Sequence, residues 1–223
     1  MTEYIIERAE ASVPLTDEHD GTPWAAAEAF ALDEFAWYES GPKPLTTGRA
    51  LYDEEALYLF FDVTDRDIHA EVTELNGPTF EDSSVEFFAR PAPEASEHYL
   101  NFEANCCGQF KLGWQAPNYA ARGLGRDLIP ESLAEHIAVE TSEEGPTREP
   151  RSDDESWWLA ARLPFDVLAA FTGLDVAPSA GTTWTGNFYR SGLPDEQKAT
   201  WSRIEEPEPV YHSPEYFGRL RFA

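Results

Sequence analysis

A chain of 223 residues with 42% hydrophobic and 13% aromatic side chains has enough apolar material for one sizeable core, and residues 1–223 are expected to form a single domain. Its 42 acidic against 16 basic side chains leave a formal charge of −26, which excludes the basic footprint of a nucleic-acid binder and argues against anionic membrane surfaces. No apolar run reaches the ~18 residues needed to span a bilayer.

Strands dominate the predicted elements. Tyr4–Arg8 is the first. Trp24–Phe30 is Ala-rich and is predicted as a short helix. Gly48–Tyr52 leads through the polar turn Asp53-Glu54-Glu55 into Ala56–Val63. That second run is almost continuously apolar, so it reads as a central strand buried on both faces. Ile68–Leu75, Ser84–Ala89, His98–Ala104 and Gln109–Trp114 follow at short spacing, and Ala116–Pro130 reads as a long polar loop. Ile137–Thr141 is the next strand. Ser142–Glu155, a run of charge, Gly and Pro, is expected to be mobile. After Ser156–Leu163 comes a helix over Pro164–Phe171, with Pro164 in the first turn and Gly173 as its cap. Thr183–Arg190, Ala199–Arg203 and Tyr216–Phe222 complete the set. Many short strands with Gly/Pro turns and one or two short helices predict an all-β antiparallel sandwich.

Within this pattern, residues 80–90 read Phe-Glu-Asp-Ser-Ser-Val-Glu-Phe-Phe-Ala-Arg. Alternation puts Val85, Phe87 and Ala89 on one strand face and Glu86, Phe88 and Arg90 on the other. Buried charge is costly unless paired. Such a face therefore suits an ion-paired sheet surface or a groove for a polar ligand.

Other chemistry is sparse. Cys106 and Cys107 are adjacent, a spacing that strains a disulfide and is too few for structural zinc, so both are read as reduced strand or turn residues. Gly123-Leu124-Gly125 lacks the strand–loop–helix context of a phosphate loop. His19, His69, His98, His136 and His212 show no metal-ligand spacing, and Met1 is the only methionine, which disfavours a Met/His haem pair. The acid pairs Asp65/Asp67 and Glu81/Asp82 are candidate calcium ligands. The same carboxylates could serve a glycosidase, with Glu86 or Asp82 as the acid/base.

The charge carries its own expectation. Only Lys43, Lys111 and Lys198 are lysines. At low salt such like charge destabilises a compact state, while at molar salt the Debye length falls to about 3 Å. An acid-rich, lysine-poor chain fits a halophile's protein; an ordinary acidic protein stays open beside it. Met-Thr-Glu-Tyr-Ile-Ile lacks the basic and apolar regions of a signal peptide. The expected location is cytoplasmic, or extracellular if a leader has been trimmed.

Two loop aromatics complete the inventory. Phe80 precedes the acidic corner and Tyr211 stands in the loop before the last strand. Uncovered aromatics on loops cost solvation. Sugar rings stack on aromatic faces while their hydroxyls need charged or amide partners. Glu86, Asn101 and Arg190 have the right chemistry for the second task. The alternative is that Phe80 and Tyr211 are rim residues of the core.

An ordered set of segments now resembles a known family. Arg49-Ala50-Leu51-Tyr52-Asp53-Glu54-Glu55-Ala56-Leu57-Tyr58, Asp62-Val63-Thr64-Asp65 and Glu81-Asp82-Ser83-Ser84-Val85-Glu86-Phe87-Phe88 come first. Trp184-Thr185-Gly186-Asn187-Phe188-Tyr189-Arg190, Ala199-Thr200-Trp201 and His212-Ser213-Pro214-Glu215-Tyr216-Phe217-Gly218-Arg219-Leu220 follow. From roughly Pro14 to Phe222 the chain is similar to the stand-alone members of carbohydrate-binding module family 9. The resemblance implies a jelly-roll or immunoglobulin-like sandwich of the DOMON type that binds a mono- or oligosaccharide without catalysis. In such modules two Trp rings clamp a sugar and structural calcium is common. The positions matching the Trp pair are Phe80 and Tyr211, and the motif glutamate matches Glu86. A glutamine of the family matches Arg190, and a basic residue falls near Asn101. Smaller rings imply a weaker clamp. Arginine in place of glutamine implies a preference for groups that accept two hydrogen bonds, such as an acidic sugar. Two alternatives remain beside sugar binding: an enzyme acting on a sugar derivative through a carboxylate, and a protein-interaction module. The sugar and the oligomeric state are not legible in the sequence.

Overall fold

The computed structural model describes residues 2–41, 43–149, 151, 153–192 and 197–223. Its strands are β1 (Glu3–Arg8), β2 (Phe30–Ala31), β3 (Thr46–Tyr52), β4 (Ala56–Thr64), β5 (Ser84–Arg90), β6 (Tyr99–Asn105) and β7 (Phe110–Gln115). Then come β8 (Asp127–Leu128), β9 (Ala138–Thr141), β10 (Ser156–Pro164), β11 (Thr183–Ser191), β12 (Ala199–Thr200) and β13 (Gly218–Phe222). The helices are α1 (Glu131–Ala134) and α2 (Phe165–Thr172).

The strands form two layers that share β1. One runs β8-β7-β6-β5-β11-β13-β1 and the other β1-β3-β4-β10-β9. Glu3–Ile6 pair with β13 and Glu7–Arg8 pair with β3, both in parallel. The remaining pairings are antiparallel. The expected sandwich is therefore antiparallel except at β1, which crosses from one layer to the other.

Alternation decides what each strand buries. In β4, Leu57, Leu59, Phe61 and Val63 enter the core between the layers, while Tyr58 and Phe60 pack with Trp24 and Ala160 on the outer face. The double burial expected of this strand is what its apolar run requires. Its hairpin with β3 is closed by the Asp53 carboxylate, which accepts the N–H groups of Glu55 and Ala56 at 2.8 and 2.9 Å. In β5, Val85, Phe87 and Ala89 join the main core. Phe88 faces the other way, into a second cluster with Tyr99, Tyr189, Ile204, Tyr211 and Phe217. Each large apolar side chain so buried contributes about 1.5–3 kcal/mol.

Four expectations are corrected. Ile68–Leu75 is not a strand, because side chains and a distant loop take its backbone donors. Ile68 N–H bonds Asp154, His69 N–H bonds Ser83 Oγ, Ala70 N–H bonds the Thr147 carbonyl, and Glu71 and Val72 N–H bond Asp82. Trp24–Phe30 is not a helix. Only Pro23–Ala26 form a 3-10 turn, Trp24 anchors by an indole bond of 2.8 Å to the Pro14 carbonyl, and Phe30 enters β2 opposite Gly48. The strand expected over Ala199–Arg203 ends at Thr200, and the last strand begins at Gly218 after a 3-10 turn at Pro214–Tyr216. Two small elements, β8 and α1, were not foreseen. The 142–155 segment is tethered at its described residues, where Arg151 pairs with Glu143 at 2.7 Å and with Asp154 at 2.9 Å. The α2 helix ends as read, with Gly173 at φ 72° donating to the Ala169 carbonyl.

Candidate functional site

The outer face of the first layer carries a polar row. Register places Tyr189 opposite Glu86, Glu86 opposite Glu103 and Glu103 opposite Lys111. Directly paired residues share a face, so four neighbouring strands present one line of side chains. Glu86, Glu103 and Lys111 are each only 3% exposed. Buried charge must be paired, and here it is. Lys111 Nζ donates to Glu103 Oε2 at 3.1 Å, the Asn101 amide donates to Glu103 Oε1 at 2.8 Å, and Thr79 adds a longer contact of 3.4 Å. Glu86 accepts a short hydrogen bond from the Ser191 hydroxyl.

Above this row lies a cavity of about 230 Å³. Glu86, Glu103 and Ser191 contribute its polar surface, Phe80 and Tyr211 its aromatic surface, and Lys198 and His212 further polar groups. Phe80 reaches it from the 3-10 turn Thr79–Glu81, just ahead of β5. The ring is 42% exposed, and the Lys111 ammonium lies 5.3 Å from its centroid. Tyr211 is held far more firmly. It is 8% exposed and its ring stacks on Tyr189 at 4.3 Å. Its hydroxyl donates to the Arg190 carbonyl at 2.5 Å.

The cavity thus brings together three of the five candidate residues: Phe80, Glu86 and Tyr211. Asn101 sits behind Glu103, which it orients, and does not line the cavity. Arg190 is elsewhere. It pairs in register with Val85, on the core-facing side of the sheet, and its guanidinium meets Asp65 at 2.7 Å in a buried ion pair. Glu103, Lys111, Ser191, Lys198 and His212 were missed. Glu103 left one signal, a lone carboxylate in an otherwise uncharged strand of sequence Tyr-Leu-Asn-Phe-Glu-Ala-Asn. Lys111 and Lys198 left another, as two of only three lysines in the chain.

Burial, and then the charge of Glu103, push the Glu86 carboxyl up to about 8, while Ser191 and the two lysines pull it partly back. Glu86 is therefore protonated near neutrality and can donate as well as accept. Burial lowers His212 to about 4, and its Nδ1 lies 2.8 Å from the Tyr99 hydroxyl and 3.1 Å from the Gln115 amide. This imidazole is neutral at pH 7.

A measurable consequence follows for stability. The folded chain holds the Glu86 proton more tightly than the unfolded chain, whose carboxyl titrates near 4.5. Between pH 4.5 and 8 the unfolded state alone releases it, so this group's contribution falls as pH rises and levels off above 8. Glu86→Gln is expected to remove that part of the decline. Urea midpoints at pH 5 and pH 8 check this. An unchanged pH slope in the variant would contradict the assignment.

The calcium expectation does not fit these residues. Asp65 is neutralised by Arg190. Both oxygens of Asp82 are occupied by the N–H groups of Glu71 and Val72 and by the Asn105 amide, at 2.8–3.1 Å. Among the described residues no three His, Cys, Asp or Glu side chains gather as a metal site. Asp82 is equally unsuited to acid/base work. A larger depression of about 690 Å³ lies beside α2, lined in part by Glu55 and Arg162, which pair at 2.9 Å. None of the candidate residues borders it.

Comparison with known proteins bears on the family and the fold. The family model described as carbohydrate-binding family 9 matches residues 23–222. A crystal structure of a proposed carbohydrate-binding protein from Bacteroides uniformis is similar over 99% of each chain, with 27% identity and a TM-score of 0.83. A family 9 module from Caldicellulosiruptor kristjanssonii in complex with glucose shares 13% identity and a TM-score of 0.62 over 100% of this chain and 96% of its own. The same organism's family 9 module in complex with cellotriose matches at 13% identity and a TM-score of 0.62, over 99% and 93%. No curated protein matches the chain.

Proposed function

Because the chain belongs to carbohydrate-binding family 9, we propose that it is a non-catalytic sugar-binding protein whose ligand occupies the cavity bordered by Phe80 and Tyr211. One observation carries this reading: Phe80 and Glu86 line the same cavity as Tyr211, which lies more than a hundred residues further along the chain. Apolar C–H faces of a sugar suit the two rings, and hydroxyls suit Glu86 and Ser191. The volume is below the ~300–1,000 Å³ of pockets for drug-sized ligands, so it suits one sugar ring at a time. Arg190 is committed to Asp65. The case for an acidic sugar therefore loses its basis, and neutral sugars come first. Calorimetric titration with glucose, cellotriose and glucuronate tests the reading. Heat with a neutral sugar is expected; none with any of the three would overturn it.

The enzymatic alternative has one supporting feature, two carboxylates side by side at a cavity. Glu103, however, already accepts from Lys111, Asn101 and Thr79, so both its oxygens are engaged within the protein. Turnover of a glycoside panel that disappears in Glu86→Gln would revive it.

High working salt belongs to the same proposal. With a charge of −26, raising KCl from 0.1 to 2 M is expected to raise Tm by several degrees through screening. A flat or falling Tm would contradict it.

A further inference from the structure

Away from the cavity, the β6–β7 hairpin ends in a turn that carries both thiols of the chain. Cys106 and Cys107 are both free, and their Sγ atoms stand 3.9 Å apart. A disulfide needs about 2.05 Å. Two bonds of ~2.3 Å to one bridging centre hold their sulfurs roughly 3.3 Å apart when it is pyramidal and roughly 3.8 Å when it is tetrahedral, so the pair needs only a small approach to bridge. The spacing therefore suits a bridging atom far better than a direct sulfur–sulfur bond.

The turn is braced in this shape. The Asn105 side-chain oxygen accepts the N–H groups of Cys107 and Gln109 at 3.2 and 2.9 Å, and Gly108 adopts φ 81°. Cys106 N–H bonds the Ser83 carbonyl at 2.8 Å, and Cys107 Sγ bonds the Gly145 carbonyl at 2.5 Å. Cys106 is buried and Cys107 half-buried. The Cys106 hydrogen bond to Cys107 lowers the Cys107 thiol and raises its own, so the more accessible sulfur is also the more readily ionised one.

We propose that Cys106 and Cys107 form a bidentate trap for soft, thiophilic centres. Closed structural zinc is excluded among the described residues by the lack of further ligands. A monosubstituted trivalent arsenical, R–As=O, needs only two protein sulfurs at a bent centre, whereas the linear two-thiolate complexes of mercury(II) or copper(I) would hold them farther apart than 3.9 Å. Cys107 adds first; Cys106, held beside it, closes the ring. Two S–H and one As=O give two As–S bonds and one water, with arsenic remaining trivalent throughout. Tethering makes the second bond intramolecular, so the cyclic adduct resists single thiols.

Phenylarsine oxide added at one equivalent to the native, reduced protein tests this by intact mass and thiol titration. One adduct per chain is expected, with both thiols lost. It should survive a hundredfold excess of a monothiol and reverse with a dithiol. Cys107→Ser and Cys106→Ser should each abolish the monothiol-resistant adduct. Absence of an adduct on the native wild type would overturn the proposal, and so would one that a monothiol strips. Those two readouts need no variant to fold. Persistence of the resistant adduct in either folded serine variant would overturn it too.

Discussion

Replacing Arg190 with alanine is expected to lower the free energy of unfolding by about 3–5 kcal/mol. Arg190 is 2% exposed and its partner Asp65 6% exposed, and the two meet at 2.7 Å. Truncation leaves the carboxylate buried without its counter-charge, with the Asp67 N–H and a long contact from Ser83 as its side-chain hydrogen bonds among the described residues. The loss comes mainly from that stranded charge, so removing both partners should hurt less than removing one. Arg190→Met combined with Asp65→Leu is expected to recover much of the stability. Urea unfolding of the three variants checks this. Because Arg190 points away from the cavity, sugar affinity of the folded single variant should stay within about threefold of wild type. A variant of normal stability that no longer binds sugar would place Arg190 at the ligand instead.

Phe80→Ala is expected to do the opposite. The ring is 42% exposed, so little core packing is lost and the urea midpoint should barely move. Sugar affinity should fall at least tenfold, because an aromatic anchor at a ligand site commonly supplies 2 kcal/mol or more. Phe80→Trp enlarges the stacking face and is expected to tighten binding. Calorimetry with glucose compares the three proteins. Equal affinities would show that Phe80 is only a rim residue.

Local patterns made much of this legible. The double-buried β4 followed from an unbroken apolar run, and the outward face of β5 followed from Glu86 lying between Val85 and Phe87. Arg190 shows where reading by chemical type fails. It suits sugar hydroxyls, yet alternation along β11 puts it with Phe188, a core residue, and against Tyr189 and Ser191. That signal was present and outweighed by the family's glutamine. The Ile68–Leu75 error had no local remedy. Its donors are satisfied by Asp82 and Ser83, ten or more residues on, and by Asp154, more than eighty residues on. Nothing in that apolar alternation announces such partners. Lys111 and Lys198 were likewise visible only as rare residues until β7 set Lys111 against Glu103 and the 198–212 segment bordered the same cavity.

The most direct test is a crystal structure of the protein soaked with glucose. Sugar density in contact with Phe80 and Tyr211, with a hydroxyl within hydrogen-bond reach of Glu86, is the predicted result. Density at another surface, with this cavity left to solvent at saturating sugar, would contradict the account.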